Sequence, residues 1–460
     1  MQKALEGRLL QRLVEISGEE NVITAGAAME DYGHDMADYE ARPAVVVRPR
    51  TEEEVARIVG LAGESRLPVV PRGAGSSLTG AVVLAGAIVL DMRGMNRVIK
   101  VDTVNWYVQV QPGISLEDLN KELEPSGFFF PPDPASAYIC TVGGAIAEGS
   151  GGLTCVKYGT MKDWVVALRV VLPNGKVTRM GEPLAKNRAG YDLVHLMVGS
   201  EGTLGVITEA FLRIIPLEKA RTRRFLVTFN DWESTGEVIR RLRRSKILPY
   251  LFEFLDRNNI QALNEKLEMS LEEAEATLLV DVEEGEVELA TEIFKGCGAS
   301  RVTLAKDKEE AEAFYQARSM AYLAVKTLAT GVMIEDVSLP IDRLSEYLTF
   351  VKDVASRHGL RIPVNGHAGD GNVHPTILYE KADERSRAAA HLAYEELCAR
   401  AIAMGGSVTA EHGIGVQKTK FLREQLLAHE GGEALRLMKE IKKVFDPDGI
   451  MNPGKYVEAA

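Results

Sequence analysis

Three glycine-rich stretches in the first half of the chain constrain its fold more than any other feature. They are residues 71–80 (PRGAGSSLTG), 141–144 (TVGG) and 199–205 (GSEGTLG). Because glycine has no side chain, the backbone N–H groups of such loops can approach a phosphate closely. A tight turn without a ligand would explain one such loop equally well. Three of them favour a large phosphate-bearing cofactor.

The spacing of the first loop excludes the two common nucleotide-binding fingerprints. Its glycines are Gly73, Gly75 and Gly80, whereas GxGxxG would require a glycine in place of Leu78. No Gly-Lys-Ser/Thr sequence follows it. The loop therefore predicts neither a Rossmann dinucleotide site nor a P-loop.

Composition predicts a soluble protein with two or three domains. The chain has 460 residues, of which 46% are hydrophobic and 26% are charged. Its net charge of −12 disfavours nucleic acid as a partner. Its four cysteines include no CxxC pair, which argues against an iron–sulfur cluster and a disulfide framework. With no apolar run long enough to span a membrane and no signal-peptide pattern at the start, we expect a cytoplasmic protein without a membrane span.

The pattern of apolar residues divides the chain into four parts. Residues 44–48, 67–70 and 87–91 read as strands, and a capping box at 51–54 opens a helix that runs to about residue 64. A second alternation of strands and helices begins after Pro216, and residues 421–445 are mostly helical. We therefore predict an N-terminal helical segment (1–40), a first domain (41–218), a second α+β domain (219–410) and a C-terminal helical segment (411–460).

A group of histidines and carboxylates in the second half predicts a metal site. His367 and His374 flank a Gly-Asp-Gly sequence, and Glu411 and His412 follow downstream. On a straight strand the first two would lie roughly 23 Å apart on opposite faces, so they can share an ion only if the chain bends at residues 369–371. Two imidazoles and one carboxylate suit Zn²⁺, with Mn²⁺ or Fe²⁺ as alternatives. A lone histidine is better explained as a core residue, so this assignment depends on the pair and on a family resemblance.

That resemblance is carried by several motifs. The first loop, PDP (132–134), TVGGAIA (141–147) and GSEGTLGVIT (199–208) resemble the FAD domain of the vanillyl-alcohol oxidase/para-cresol methylhydroxylase superfamily. NGHAGDGNVH (365–374), EHGIG (411–415) and NPGK (452–455) resemble its D-lactate dehydrogenase/glycolate oxidase D-subunit/D-2-hydroxyglutarate dehydrogenase branch. The resemblance implies an α+β fold: a two-subdomain FAD-binding domain, an α+β substrate (cap) domain, and a C-terminal helical segment that returns to the FAD domain and completes the active site.

The resemblance also implies which residues hold FAD. Those that would contact the pyrophosphate are Arg72, Gly73, Ala74, Gly75, Ser76 and Ser77. Those that would line the rest of the cofactor are Thr79, Gly80, Pro132, Asp133, Thr141, Gly143, Gly144, Ser150, Tyr158, Gly159, Glu201, Gly205, Val206, Ile207 and Asn452. Many relatives attach FAD covalently to a histidine within the first loop. This chain has no histidine there, so we expect non-covalent FAD.

The same resemblance assigns the catalytic roles. His367, His374 and Glu411 would bind the metal, which lowers the pKa of the substrate hydroxyl. His412 would take the hydroxyl proton while a hydride passes to flavin N5, and Arg318 would grip the substrate carboxylate. Asn365 would orient the first histidine.

The substrate is inferred from a missing residue. Relatives that act on D-2-hydroxyglutarate carry a lysine in the strand before a Ser-Leu-Pro sequence, and residues 332–340 contain none. We therefore expect a small D-2-hydroxy acid, with D-lactate favoured over glycolate.

Three alternatives remain open from the sequence: a D-2-hydroxyglutarate dehydrogenase, a His/His/Glu metallohydrolase, and a non-catalytic electron-transfer subunit. The electron acceptor is also open among an electron-transfer flavoprotein, an iron–sulfur subunit, a quinone and a cytochrome.

Overall fold

The chain leaves its first structural unit after Leu217 and returns to it at Glu411. The computed structural model describes residues 2–217 and 222–457. The first unit comprises residues 2–152, 160–217 and 411–457, and the second comprises 153–159 and 222–410. The predicted boundary between residues 218 and 219 lies outside the described residues, as do residue 1 and residues 458–460 of the predicted terminal segments.

Helices and strands are interspersed along the described residues. The strands are β1 (Val22–Ile23), β2 (Val45–Val47), β3 (Val69–Arg72), β4 (Ile88–Asp91), β5 (Val98–Asp102), β6 (Tyr107–Val110), β7 (Phe128–Phe129), β8 (Val165–Val171), β9 (Val177–Gly181), β10 (Val206–Arg213), β11 (Ile215–Pro216), β12 (Thr222–Phe229), β13 (Leu251–Asp256), β14 (Ala276–Glu283), β15 (Arg301–Leu304), β16 (Gly331–Ile334), β17 (Val337–Ser338), β18 (Val364–His367) and β19 (Asn372–Tyr379). The α-helices are α1 (Gln2–Ser17), α2 (Ala27–Glu30), α3 (Glu52–Ser65), α4 (Leu116–Leu123), α5 (Val142–Glu148), α6 (Cys155–Tyr158), α7 (Met161–Trp164), α8 (Leu193–Met197), α9 (Trp232–Ser245), α10 (Arg257–Leu267), α11 (Val287–Gly296), α12 (Lys308–Lys326), α13 (Leu344–His358), α14 (Glu384–Ala403), α15 (Thr419–Ala428) and α16 (Gly432–Phe445).

Two larger sheets form the framework of the first unit. One has the order β1-β2-β4-β3, in which β4 runs parallel to β2 and β3, and the other has the antiparallel order β5-β6-β10-β8-β9. A short pair, β7 and β11, lies apart from them. Helix α3 is the crossover between β2 and β3, two parallel strands on either side of β4, and it packs its apolar face into the core of this unit.

The start of α3 follows the sequence pattern with one difference. The Thr51 hydroxyl accepts the N–H of Glu54 at 3.2 Å, as expected of an N-cap. The Glu54 carboxylate, however, accepts the N–H of Arg50 at 2.9 Å. The predicted helix is confirmed, but the return bond of the capping box is made one residue earlier than expected.

The C-terminal segment completes the first sheet. The N–H of Val69 in β3 donates to the carbonyl of Ile450 at 2.7 Å, and the N–H of Asn452 donates to the carbonyl of Val69 at 2.9 Å. Met451 thereby forms a parallel bridge to the free side of β3. Nearby, the buried Lys442 ammonium donates to the carbonyl of Thr203 at 2.8 Å. The strand that enters the first glycine loop is therefore paired by the end of the chain.

The second unit is built on one large antiparallel sheet. Its order is β15-β12-β14-β13-β18-β19-β16, and β17 also pairs with β19. Strands β13, β18 and β19 are buried along their whole length, which is typical of central strands covered on both faces. Polar side chains on these strands are therefore held in the interior of the unit.

Among the residues that the structure describes, no helix combines the length and apolar character that crossing a membrane requires.

Candidate functional site

A cavity in the first unit is lined by residues of all three glycine-rich stretches. The predicted cofactor residues that line it are Arg72, Gly73, Thr141, Gly143, Gly144, Glu201, Gly205, Val206 and Ile207. The other residues around it are mostly apolar or small. A concave site that joins three glycine-rich stretches and is lined mainly by small or apolar residues has the character of a site for a phosphate-bearing cofactor.

The glycines let the first two stretches approach each other closely. Thr141 caps helix α5 by accepting the N–H of Gly144 at 3.2 Å. A Cβ atom on Gly73 would lie 2.2 Å from the Thr141 hydroxyl oxygen, and one on Gly143 would lie 2.5 Å from Cβ of Pro112. Larger residues at Gly73 and Gly143 would separate the loop from the helix, so glycine is required there by packing.

Arg72 is buried beneath the first loop. A Cβ on Gly75, whose φ is +75°, would lie 2.1 Å from Arg72 Nη2. Nη2 donates to the carbonyl of Asp31 at 3.2 Å, whereas the buried Nη1 has no hydrogen-bond partner among the described residues. Burial lowers the pKa of the guanidinium. A buried N–H group without a partner favours an anion such as a phosphate at this position.

The other predicted cofactor residues do not line this cavity. Ala74 and Gly75 line a neighbouring one, and Tyr158 and Gly159 belong to the second unit. Asn452 donates to the carbonyls of Ala81 (2.8 Å) and Glu201 (2.7 Å), which is a structural tie between segments. The remaining positions outside the cavity are Ser76, Ser77, Thr79, Gly80, Pro132, Asp133 and Ser150.

Two buried carboxyl groups lie next to the cavity. Glu201 accepts the N–H groups of Ile414 (2.6 Å) and Gly415 (2.8 Å), and burial raises its pKa to about 7. Burial, and then the charge of Glu201, raise the pKa of Glu148 well above its usual range. Glu148 was not predicted as a site residue, although an acid at the end of an otherwise apolar, glycine-rich helix can be recognised in the sequence.

In the second unit, a hairpin brings the two predicted metal-binding histidines together. Strands β18 and β19 pair His367 with Asn372 and Asn365 with His374, so both histidines are on one face of the sheet. Their ring centroids are 5.3 Å apart. The predicted bend is confirmed, and Gly371, with a φ of +83°, allows the turn.

A buried carboxylate of the adjacent strand contacts His367. Glu253 lies opposite His367 in the register of β13 and β18, and its oxygens are 2.7 and 2.8 Å from His367 Nδ1. Asn365 was expected to orient this histidine. It instead donates to Asn259 Oδ1 at 3.4 Å, so Glu253 takes the role predicted for Asn365.

Arg318 is the second partner of Glu253. Its Nε atom on α12 lies 2.8 Å from Glu253 Oε2. The N–H is not aligned for a hydrogen bond, so the contact is an ion pair. The structure thus places the predicted substrate-binding arginine and a predicted metal ligand on the same carboxylate.

His374 also faces a buried carboxylate. Its Nδ1 atom is 3.6 Å from Asp336 Oδ1. Asp336 accepts hydrogen bonds from the Asn372 amide (2.8 Å), the Thr409 hydroxyl (2.8 Å) and the Ala410 N–H (2.9 Å). Asp336 was not predicted, although the two adjacent acids at residues 335 and 336 stand between apolar residues and so could have indicated a buried carboxylate.

Glu411 and His412 belong to the first unit. His412 Nε2 is 3.7 Å from Glu411 Oε1, and the Thr79 hydroxyl donates to the carbonyl of His412 at 3.4 Å. The amides that follow at residues 414 and 415 are those bound by Glu201. Glu201 therefore anchors the loop that carries both residues.

Two family models match the chain. The model of an FAD binding domain matches residues 43–181, and that of the C-terminal domain of FAD linked oxidases matches residues 218–456. The chain belongs to the FAD-linked oxidase family. This oxidase is 36% identical to glycolate oxidase subunit GlcD of Bacillus subtilis (strain 168) over 97% of its own length and 96% of the relative. It is 33% identical to D-lactate dehydrogenase of Anaerostipes hadrus over 97% and 96% of the two chains.

Solved structures show the fold of this FAD-linked oxidase. p-Cresol methylhydroxylase with substrate bound matches 98% of the chain and 96% of its own, with a TM-score of 0.79 and 19% identity. The predicted superfamily, the α+β fold of the para-cresol methylhydroxylase type, and FAD as cofactor are confirmed. A divalent metal, non-covalent FAD, the electron acceptor and a cytoplasmic location stay predictions.

Proposed function

We propose that this FAD-linked oxidase oxidises a small D-2-hydroxy acid to the 2-oxo acid and passes the electrons to an external acceptor. D-Lactate is the favoured substrate, and glycolate is the smaller alternative. The observation that carries the proposal is the Glu253 carboxylate with His367 on one side and Arg318 on the other. Arg318 would bind the carboxylate of a 2-hydroxy acid, and His367 would help to hold a metal that the acid can chelate through its hydroxyl group. The names of the relatives, a glycolate oxidase subunit and a D-lactate dehydrogenase, support it.

The proposed cofactors divide the chemistry between them. When bound, FAD accepts the hydride, and a divalent metal, Zn²⁺ before Mn²⁺ or Fe²⁺, lowers the pKa of the substrate hydroxyl. The cavity at the glycine stretches fits FAD, because the three stretches meet there beside the buried guanidinium N–H of Arg72. The hairpin fits a metal, since it presents two imidazoles on one face. Glu411 is the proposed third ligand.

The protein's own side chains hold the substrate and move its proton. Arg318 binds the carboxylate as a two-pronged donor, and His412 takes the proton from the hydroxyl oxygen. With carboxylate and hydroxyl both held, one of the two remaining positions on C2 would face the flavin, and that position would carry hydrogen in one isomer of lactate and the methyl group in the other. The enzyme should therefore discriminate between D and L isomers.

The charges near β16 and β17 favour a monocarboxylate. Residues 332–340 contain no lysine, and within them the side chains of Glu335 and Asp336 are both fully buried. A second substrate carboxylate brought near this segment would meet negative charge, and burying an unpaired carboxylate costs several kcal/mol. This argues against D-2-hydroxyglutarate.

Membership of an FAD-binding family argues against a metallohydrolase. Hydrolysis at a metal does not require a cofactor cavity such as the one lined by the glycine-rich stretches. An electron-transfer subunit without a substrate would not need a buried arginine such as Arg318 to bind a substrate carboxylate. The acceptor is proposed to be an electron-transfer flavoprotein or an iron–sulfur subunit, since the chain carries no cluster motif.

Anaerobic flavin bleaching tests the proposal. We expect D-lactate to bleach the flavin absorbance of the purified protein, whereas buffer and L-lactate leave it unchanged. Reoxidation by added electron-transfer flavoprotein then tests the acceptor. A flavin that no D-2-hydroxy acid reduces would contradict the proposed activity.

A further inference from the structure

Glu253 is an acid in the middle of an apolar strand. It stands between Phe252 and Phe254 in β13, and 0% of its surface is exposed. A carboxylate in such a place is strongly destabilising unless charge and hydrogen bonds compensate for its lost hydration. Here the compensation comes from His367 Nδ1 and from the Arg318 guanidinium. Both residues that compensate it belong to the proposed site.

The contact decides which nitrogen of His367 carries the proton. A carboxylate can only accept hydrogen bonds, so the proton of the imidazole is on Nδ1. The lone pair is then on Nε2, which would be the metal-binding nitrogen of His367 in the proposed site. The opposite tautomer would leave Glu253 without this donor in a fully buried position.

The same carboxylate holds Arg318 from one side. The ion pair is made at Nε, so the guanidinium is fixed at the end where it joins the side chain. This arrangement leaves the two terminal Nη groups to bind a substrate carboxylate. One residue thereby supports a metal ligand and a substrate-binding cation.

We propose that Glu253 is a positioning residue that sets the tautomer of His367 for metal binding and aligns Arg318 for the substrate carboxylate. This inference deepens the proposed function and rests on it. It predicts that one substitution weakens both metal affinity and substrate binding, although in the proposed site Glu253 would contact neither the metal nor the substrate.

The test compares Glu253→Gln with Asp281→Asn. Asp281 is also a buried acid of the same sheet, but its carboxylate accepts hydrogen bonds from Nε and Nη2 of Arg224, both at 2.6 Å. Zn²⁺ affinity is measured by competition with a chelator, and KM for D-lactate is measured with an artificial electron acceptor. We expect Glu253→Gln to weaken Zn²⁺ binding by about 10- to 100-fold and to raise KM, with flavin content unchanged. Asp281→Asn should leave both values within about twofold. Wild-type Zn²⁺ affinity in folded Glu253→Gln would overturn the inference.

A second measurement tests the inference without a variant and without Zn²⁺, so it remains informative if Glu253→Gln does not fold or if the protein binds no Zn²⁺. Selective ¹⁵N labelling of histidine in the metal-free wild type reports the tautomer, with the His367 signals assigned by His367→Gln. A proton on Nδ1 of His367 supports the inference, and a proton on Nε2 overturns it. Absence of Zn²⁺ binding by the wild type would instead contradict the metal in the proposed function.

Discussion

Glu148 and Glu201 direct their carboxyl groups at the same side of Gly413. A Cβ atom on this glycine would lie 2.3 Å from Glu148 Oε2 and 2.8 Å from Glu201 Oε1. Gly413 has a φ of +80°, so both the conformation and the space require glycine. The two acids stand next to the loop that carries Glu411 and His412, and their protonation should influence its stability.

The first prediction concerns this pair and pH. Burial raises the pKa of Glu201 to about 7, so the folded state holds this proton more tightly than the unfolded chain does. The resulting stability is fully present below the unfolded pKa and is lost as pH rises through the folded pKa. We expect the Tm of the flavin-free protein to fall between about pH 5 and pH 8. Glu148→Gln should reduce the fall, because it removes a second buried carboxyl group whose pKa is raised well above its usual range.

The control for this measurement is Glu122→Gln, at an exposed position. It should keep the wild-type dependence of Tm on pH, measured by differential scanning calorimetry. An identical dependence in Glu148→Gln would show that the Glu148 carboxyl group does not contribute to the loss of stability with pH.

The second prediction concerns the helix at the cofactor cavity. A Cβ on Gly144 would meet only the Thr141 hydroxyl, at 3.1 Å, so Gly144→Val can fold with its methyl groups directed into the cavity. We expect the purified variant to retain less than about a tenth of the wild-type FAD, as its side chain blocks approach to the amides. Gly7→Val is the control, because Gly7 is exposed on α1 and has nothing within 4 Å. Full flavin content in Gly144→Val would remove this helix from the proposed cofactor site.

The third prediction separates the metal from the flavin. His374→Ala, or treatment with a chelator, should lower D-lactate turnover at least about 100-fold, because activation of a hydroxyl by a metal is worth several kcal/mol. The flavin spectrum should be almost unchanged. His391→Ala, at an exposed position of α14, should keep wild-type turnover. If the chelated enzyme kept full activity, the hairpin histidines would not hold a catalytic metal.

The fourth prediction concerns how FAD is attached. Since residues 71–80 contain no histidine, acid or heat should release the FAD into the supernatant. The measurement is flavin fluorescence of the supernatant and of the washed pellet. Flavin that stays with the precipitated protein would show a covalent bond.

The fifth prediction concerns substrate choice. kcat/KM for D-lactate should exceed that for L-lactate and for D-2-hydroxyglutarate by at least about tenfold, or roughly 1.4 kcal/mol. Glycolate should be a weaker substrate than D-lactate, since one lost methyl contact is worth about 1–3 kcal/mol. Steady-state rates with one acceptor test all four acids. Equal values for D-lactate and D-2-hydroxyglutarate would mean that another cation replaces the missing lysine.

Local patterns predicted the local parts of this structure. The N-cap at Thr51 and the bend between His367 and His374 depend on neighbouring residues, so the sequence reveals them directly. Glu253 was missed because His367 lies 114 residues away in sequence and meets it through the register of two strands. Likewise, glycine spacing predicted the cofactor loops, but not that Ala74 and Gly75 would face a different cavity from Gly73. A register between distant strands is set by packing over the whole unit.

The bridge between β3 and Met451 has a consequence for synthesis of the chain. On the ribosome, the strand that leads into the first glycine loop emerges long before its last partner, because Met451 lies far downstream of β3 in the sequence. Until then, β3 has an open edge, which is a template for pairing with the wrong strand. A contact between residues so distant in sequence also forms slowly. The nascent polypeptide should therefore acquire its yellow colour late, and C-terminal truncation should deprive it of flavin although every glycine loop is intact.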